Sequence, residues 1–343
     1  MVRAFAWRDG ERLIRFGRGV AAEAVEALGG PGFLLLTTSR AGAALPAAAE
    51  AAAGVHHVPP GSVPELAAGA LEWARGARGP EVPALATAAH SWATRAHDTR
   101  IVALGGGRVI DVAKAVAAAL GARARAMAVP TTLSGAEMTR VHRHAAGVDE
   151  ATPRVRCAIV VCDPALAASQ PRAELAASAL NALGHAVEAP CTVAANPVAT
   201  LAAREAARLL IGAFGGAELD RDALALGALL AGYALDSSGY GLHHVMAQTL
   251  VRHGLAGHGQ ANAVLLPHTV PALRRRFPAG LSAFDEDPGA AATRLRALSG
   301  ATLEATDDQI DACVEEAAAR PQLDATPPRA SREELREIYA AAL

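Results

Sequence analysis

Short apolar runs alternate with alanine-rich helical windows as far as Asp163-Pro164, and beyond that point the runs stop. The runs Phe33–Thr38, Val55–Val58, Ile101–Leu104, Ala126–Val129 and Val155–Val161 read as strands, each ended by a polar, glycine or proline break. The windows Gly19–Leu28, Ala41–Ala53, Glu65–Arg75, Leu85–Ala96 and Val109–Leu120 read as helices between or beside them. Strands alternating with helices argue for a parallel sheet built from βαβ units. From Ala173 onward only helical periodicity remains, over Ala173–Ala189, Pro197–Leu210, Arg221–Gly232, His243–Val251, Leu255–Val270, Ala290–Leu298, Thr306–Ala319 and Ser331–Leu343. The expectation is an α/β domain over residues 1–163 followed by an all-helical domain over 164–343. Ser331 and Glu334 carry the spacing of a capping box for the last helix.

The 343 residues suffice for two such domains, and a hydrophobic fraction of 52% supplies their cores. Basic and acidic residues nearly balance, 32 against 34, so the basic excess of a chain that grips nucleic acid through phosphates is missing. No apolar run approaches the length that spans a bilayer, and Met1–Gly10 does not open a secretory leader. Cys157, Cys162, Cys191 and Cys313 form no CxxC pair, which points to reduced thiols in a cytoplasmic setting. Lys114 is the single lysine in a chain otherwise biased to arginine.

Gly105-Gly106-Gly107 follows a strand directly and opens a helix. Bare glycines let a ligand approach the backbone, and free N–H groups at a helix start attract an anion such as a pyrophosphate. Taken alone, the same residues serve equally as a tight corner. The whole segment, GGGRVIDVAK, resembles the GGGSxxDxAK segment of iron-containing alcohol dehydrogenases and their relatives in the dehydroquinate-synthase-like superfamily, and Lys114 falls on the family's lysine. PTTLSGAEMT at Pro130–Thr139 resembles that family's PTTxxxGSEvT loop, with Ala136 in place of serine. The resemblance implies an N-terminal Rossmann-like domain that binds NAD(H) or NADP(H) through Gly105, Gly106, Gly107, Asp111, Lys114, Thr131 and Thr132. Asp111 and Lys114, three residues apart on one helix face, also suit a local pair that anchors the helix.

NALGHAVEA at Asn181–Ala189 places Asn181 and His185 on one helix face, and His244 and His258 follow fourteen residues apart. Three histidines on separate helices suit an open metal site, or the ordinary satisfaction of helix-face imidazoles. Metal-using members of the family hold Fe(II) or Zn(II) with an aspartate and three histidines, and His185, His244 and His258 match the histidines. Asn181 stands at the aspartate position, and a neutral amide is the weaker ligand for a divalent cation. The maleylacetate reductase branch also carries asparagine there and resembles this chain in NALGHAVEA and in the paired His243-His244. Gln248 departs from both branches, which place a histidine there. Glutamine relays no proton, so His243, His253 or water is left as donor.

Thr38-Ser39-Arg40 follows the first of the five strands. NAD-preferring relatives often place an aspartate there, so Thr38 and Arg40 point to NADP(H) or dual use. Arg274-Arg275-Arg276 would attract an anionic substrate or end a helix favourably. The stretch Gly61–Gly79 is expected to add a helix. The resemblance implies a homodimer with its small-molecule substrate between the two domains. It also implies hydride transfer to a carbonyl or enone-type carbon, as in a maleylacetate reductase, with His185, His243, His244 and His258 as catalytic candidates. The alternatives are a metal-dependent alcohol dehydrogenase, a non-redox lyase or synthase, and an inactive relative.

Overall fold

The computed structural model describes residues 4–77 and 98–343. The window Leu85–Ala96 and the last two residues of Gly61–Gly79 lie outside them. The chain divides into two compact units, Met1–Ser169 and Gln170–Leu343, later than the break expected after Asp163. Asp163 explains the difference. Its carboxylate accepts from Ala165 N–H at 2.9 Å, capping a short helix, and from Gly19 and Ala21 N–H of the first unit at 2.8 and 3.2 Å.

The first unit runs β1 (Phe5–Asp9), β2 (Arg12–Phe16), α1 (Ala24–Ala27), β3 (Leu34–Thr37), α2 (Ser39–Ala44), α3 (Pro46–Ala51), β4 (Gly54–His57), α4 (Val63–Gly76), β5 (Thr99–Gly105), α5 (Gly107–Leu120), β6 (Ala124–Pro130), β7 (Ile159–Cys162) and α6 (Pro164–Ala167). One seven-stranded sheet has the order β1-β2-β7-β6-β5-β3-β4. Every pairing is parallel except β1 with β2. Strands β3, β5, β6 and β7 are buried on both faces, which is why they read as unbroken apolar runs. The hairpin β1–β2 escaped the sequence reading because Arg8, Asp9, Arg12 and Arg15 interleave its apolar residues. Asp9-Gly10 was the available signal, since Gly10, at φ +58°, opens a two-residue turn.

Two expected helices are reshaped. Ala41–Ala53 becomes α2 and α3, because Pro46 has no N–H to continue the first and starts the second. Gly19–Leu28 is a turn of 3-10 helix, Val20–Glu23, leading into α1. The stretch after Gly61 does supply a helix, α4, packed against α5.

The second unit is helical throughout its described elements: α7 (Arg172–Glu188), α8 (Pro197–Gly212), α9 (Arg221–Ser238), α10 (Leu242–Arg252), α11 (His258–Arg276), α12 (Pro278–Leu281), α13 (Pro288–Ser299), α14 (Asp307–Ala319) and α15 (Arg332–Ala342). Helix α7 lies at its centre, against α8, α9, α10, α11 and α13, and its last eight residues are all buried. Helix α11 begins at His258, after Gly257, and runs through Pro267 and Pro271 to Arg276, past the expected stop at Val270. The capping box expected at Ser331 is half made. Ser331 Oγ accepts from Glu334 N–H at 3.1 Å, while the Glu334 carboxylate turns to Arg275 and Arg276. No helix of the described residues is long and apolar enough to cross a membrane. All four cysteines are free and buried.

Candidate active site

Two groups of residues gather the chemistry, one in each unit. In the first, β3 leads outward to β4 while β5 pairs on the other side of β3, so the strand order reverses between β3 and β5. Open parallel sheets bind ligands at the carboxyl ends of strands at such a reversal. Thr37 Oγ1 donates to Leu104 O at 2.9 Å across it, and Thr131 N–H donates to Gly105 O at 3.0 Å from β6. These bonds bring Thr38, the triple glycine and Thr131-Thr132 to one edge.

The glycines are required by packing. A Cβ on Gly105 would lie 2.8 Å from Val109, one on Gly106 2.9 Å from the Thr132 side chain, and one on Gly107 2.9 Å from Ser134. Thr38 Oγ1 caps α2, accepting from Ala41 N–H at 3.2 Å, and Arg40 lies exposed in the first turn of that helix.

Lys114 is fully buried. Its ammonium donates to Ala136 O at 2.8 Å, Thr139 O at 3.0 Å and Val141 O at 2.9 Å, and lies 2.8 Å from Asp111 Oδ1. It therefore ties α5 to the segment after Thr131-Thr132, across 22 to 27 positions of chain that no local pattern connects. In that segment Glu137 is buried, and desolvation pushes its carboxyl up to about 7.

In the second unit, α7 carries Asn181, His185 and Glu188, and α10 carries His243 and His244. Gly184 lets the two helices meet, since a Cβ there would stand 2.6 Å from His243 Nε2. The His185 and His244 rings stack with centroids 4.6 Å apart, and the His243 ring stands perpendicular to His244 at 4.9 Å. Burial drives His185 well below the usual imidazole range and holds His243 and His244 at about 3, so all three rings are neutral. Burial also raises the Glu188 carboxyl, against the pull of His243 and of backbone N–H groups.

Glu188, the acid of NALGHAVEA, is a functional residue that the sequence reading misses, although it lies three residues past His185 on the same helix face. Its Oε2 is 2.7 Å from His244 Nδ1, and its Oε1 accepts from His243 N–H at 2.8 Å. With His244 neutral, Nδ1–H donates to the carboxylate and Nε2 keeps a bare lone pair. That nitrogen and His185 Nδ1 are buried without a hydrogen-bond partner. A histidine oriented in this way by a carboxylate is built to face a cation.

His258 stands exposed in the first turn of α11, close enough for its charge to depress His185 and His244. Asn181 is buried on α7. Among the described residues no group of three or more His, Cys, Asp or Glu side chains is arranged to hold a metal ion. The donors that fit one are the two nitrogens of His185 and His244.

His243, a catalytic candidate, is instead committed on both sides. Asn262 Nδ2 donates to His258 O at 2.7 Å, which turns its Oδ1 toward His243 Nε2 at 3.0 Å, and His243 Nδ1 meets Thr269 Oγ1 at 2.9 Å. It ties α10 to the turn bearing His258. His253 lies at the far end of α10, paired with Glu316 at 2.9 Å. Gln248 Oε1 accepts from Arg320 at 2.6 Å. The three arginines ending α11 are spent on carboxylates, Arg274 on Asp287 and Arg275 and Arg276 on Glu334, so they form a helix end rather than an anion receptor.

Residues 70–164 match the family model "Iron-containing alcohol dehydrogenase", and residues 175–285 match "Fe-containing alcohol dehydrogenase family, C-terminal". The chain is 35% identical over 214 residues to maleylacetate reductase 2 of Cupriavidus pinatubonensis, covering 58% of each. It is 32% identical over 187 residues to the maleylacetate reductase of a Rhizobium species, covering 52% of this chain and 53% of that one. The matches thus span little more than half the length of these curated relatives. The crystal structure of maleylacetate reductase from Agrobacterium tumefaciens superposes with a TM-score of 0.78 at 28% identity, covering 100% of this chain and 99% of that one.

Proposed function

The chain belongs to the iron-containing alcohol dehydrogenase family, and on that premise we propose that it is an NAD(P)H-dependent reductase of the maleylacetate reductase type. The relatives that bear that name support the reaction class, a hydride delivered to a carbonyl or enone-type carbon. The observation that carries the reading is the buried, neutral His185–His244 pair, with the His244 tautomer set by Glu188.

The reduced nicotinamide supplies the hydride when bound. The Gly105–Gly107 turn receives the diphosphate on backbone N–H groups at the start of α5, flanked by Thr131 and Thr132. Lys114 and Asp111 hold the adjoining segment. Arg40, exposed and without a neighbouring carboxylate in the Thr38-Ser39-Arg40 sequence, favours the 2′-phosphate of NADPH. Comparing KM for NADH and NADPH in wild type and Arg40→Ala tests this, and an unchanged NADPH preference in the variant removes Arg40.

A bare Nε2 lone pair repels a developing oxyanion and receives a cation, so His244 favours the metal-dependent form of the reaction over hydrogen-bond donation. A divalent ion bound there would supply Lewis acidity toward the substrate oxygen. His185 and His244 would hold it, joined by His258 and, more weakly, Asn181. The commitments of His243 and His253 leave water as the proton source.

Purified protein mixed with NADH or NADPH and either maleylacetate or a panel of aldehydes tests the reading. Nicotinamide oxidation with maleylacetate supports it, and oxidation with aldehydes alone favours an alcohol dehydrogenase. No oxidation with any substrate overturns both and points to a non-redox or inactive relative. Metal analysis of the same sample distinguishes the metal-dependent form. The reading also carries a homodimer and a cytoplasmic location, checked by sizing and cell fractionation.

A further inference from the structure

Arg320, just past α14, is 7% exposed, and its guanidinium touches only neutral oxygens. It donates to Gln248 Oε1 at 2.6 Å, to Val245 O at 3.4 Å and to Tyr240 Oη at 3.5 Å. A buried guanidinium without a carboxylate in contact is costly, because neutral acceptors repay only part of the lost hydration, and burial pulls its pKa down. Glu316, whose charge reaches Arg320 without contact, is paired with Arg252 at 3.2 Å and His253 at 2.9 Å. Among the described residues no carboxylate forms an ion pair with Arg320.

Its surroundings connect it to the imidazole pair. Val245 and Gln248 lie on α10, directly after and four residues after His244. The Tyr240 ring meets the His244 ring edge-on with centroids 5.9 Å apart. Arg320's charge is felt at His244, where it adds to the effect of burial. Arg320 thus sets a fixed positive charge beside His244 on the side of Tyr240, and the carboxylate at His244, Glu188, is spent on His244 Nδ1 and on the His243 N–H.

We propose that Arg320 reads a carboxylate of the substrate beside His185 and His244, and that Gln248 is the side chain that aims it. A guanidinium pairs with a carboxylate through two parallel N–H groups, a geometry that a neutral aldehyde does not offer. Glutamine suits the aiming role. Its oxygen accepts from the guanidinium without neutralising it, whereas a glutamate would quench the charge. The inference rests on the reading of the His185–His244 pair as the place where the substrate sits.

The test is calorimetric titration of the purified full chain with maleate, a dianion, and with maleamide, its neutral counterpart. Wild type is expected to prefer maleate by about tenfold or more, on the scale of a charge-assisted pair. Arg320→Met and the isosteric Gln248→Glu are both expected to erase that preference. A preference retained in Arg320→Met, or absent from wild type, overturns the proposal. Should Arg320→Met fail to fold by circular dichroism, Gln248→Glu decides, and a retained preference there overturns it equally.

Nicotinamide oxidation with maleylacetate separates this proposal from the proposed function. Turnover by wild type together with a retained maleate preference in Arg320→Met ends the inference and leaves the function standing. A preference lost in the variant, without any turnover by wild type, does the reverse.

Discussion

Glu188 Oε2 lies 2.7 Å from His244 Nδ1, with both side chains buried between α7 and α10. The contact fixes which imidazole nitrogen keeps its lone pair, Nε2, which is buried without a hydrogen-bond partner. Replacing Glu188 with glutamine keeps the shape but removes the charged acceptor. We expect kcat/KM to fall about 10- to 100-fold, the usual cost of losing such an orienting carboxylate. Retained activity in Glu188→Gln would show that the tautomer of His244 is set by something else.

Lys114 Nζ reaches three carbonyl oxygens from full burial. Lys114→Met would strand those acceptors and the partly exposed Asp111. The expected loss of stability is about 3 kcal/mol, discounted for the exposure of Asp111. Urea melts measure it. KM for the nicotinamide is expected to rise as well, because the same ammonium holds the segment that follows Thr131-Thr132. A variant as stable as wild type would contradict the role given to the only lysine.

Gly106→Ala places a methyl 2.9 Å from Thr132 Cγ2, and a β-branched side chain has little freedom to move aside. Overpacking of this kind costs about 1–3 kcal/mol. The larger effect is expected on nucleotide affinity, a loss of about tenfold or more, because the turn and Thr132 flank the same edge. Fluorescence titration with NADPH checks it, and unaltered affinity would move the diphosphate elsewhere.

His243 and His244 are held at about 3 by burial, below the unfolded value near 6.5. Between those values the unfolded chain binds protons that the folded chain refuses. Their contribution is therefore complete above pH 6.5 and is lost as pH falls, by about 1.4 kcal/mol per pH unit for each histidine. Glu137, raised to about 7, and Glu188, also raised by burial, work the opposite way as pH falls, so the test is made in a Glu137→Gln background and rests on the comparison with and without His243, in which Glu188 is common to both chains. The denaturation midpoint is expected to fall steadily from pH 6.5 to 4.5, and less steeply when His243→Gln is added. Equal slopes with and without His243 would contradict the neutral, desolvated cluster.

The two-part architecture was legible because buried parallel strands read as apolar runs and the second unit offers none. The hairpin Phe5–Phe16 was not, since its charged residues break the alternation that marks a half-buried strand. His185 was legible from its spacing to Asn181 on α7, His244 from its fourteen-residue separation from His258, and both from family resemblance, and the structure stacks their rings. Helical spacing would also have reached Glu188. Nothing local announces Arg320, which meets Gln248 across 72 positions of chain, nor the commitment of His243 to Asn262 and Thr269, which depends on how α10 packs on α11. Long-range polar contacts of this kind are set by tertiary packing and leave no periodic trace in sequence.

The central claim is that nicotinamide-dependent reduction takes place at His185 and His244. Rapid mixing of the enzyme–NADPH complex with maleylacetate tests it most directly, in wild type and in His244→Ala. The account predicts a burst of nicotinamide oxidation by wild type and a rate about a hundredfold lower or less in the variant, with NADPH still bound. Oxidation at the wild-type rate in His244→Ala, or none by wild type with either nicotinamide, would contradict it.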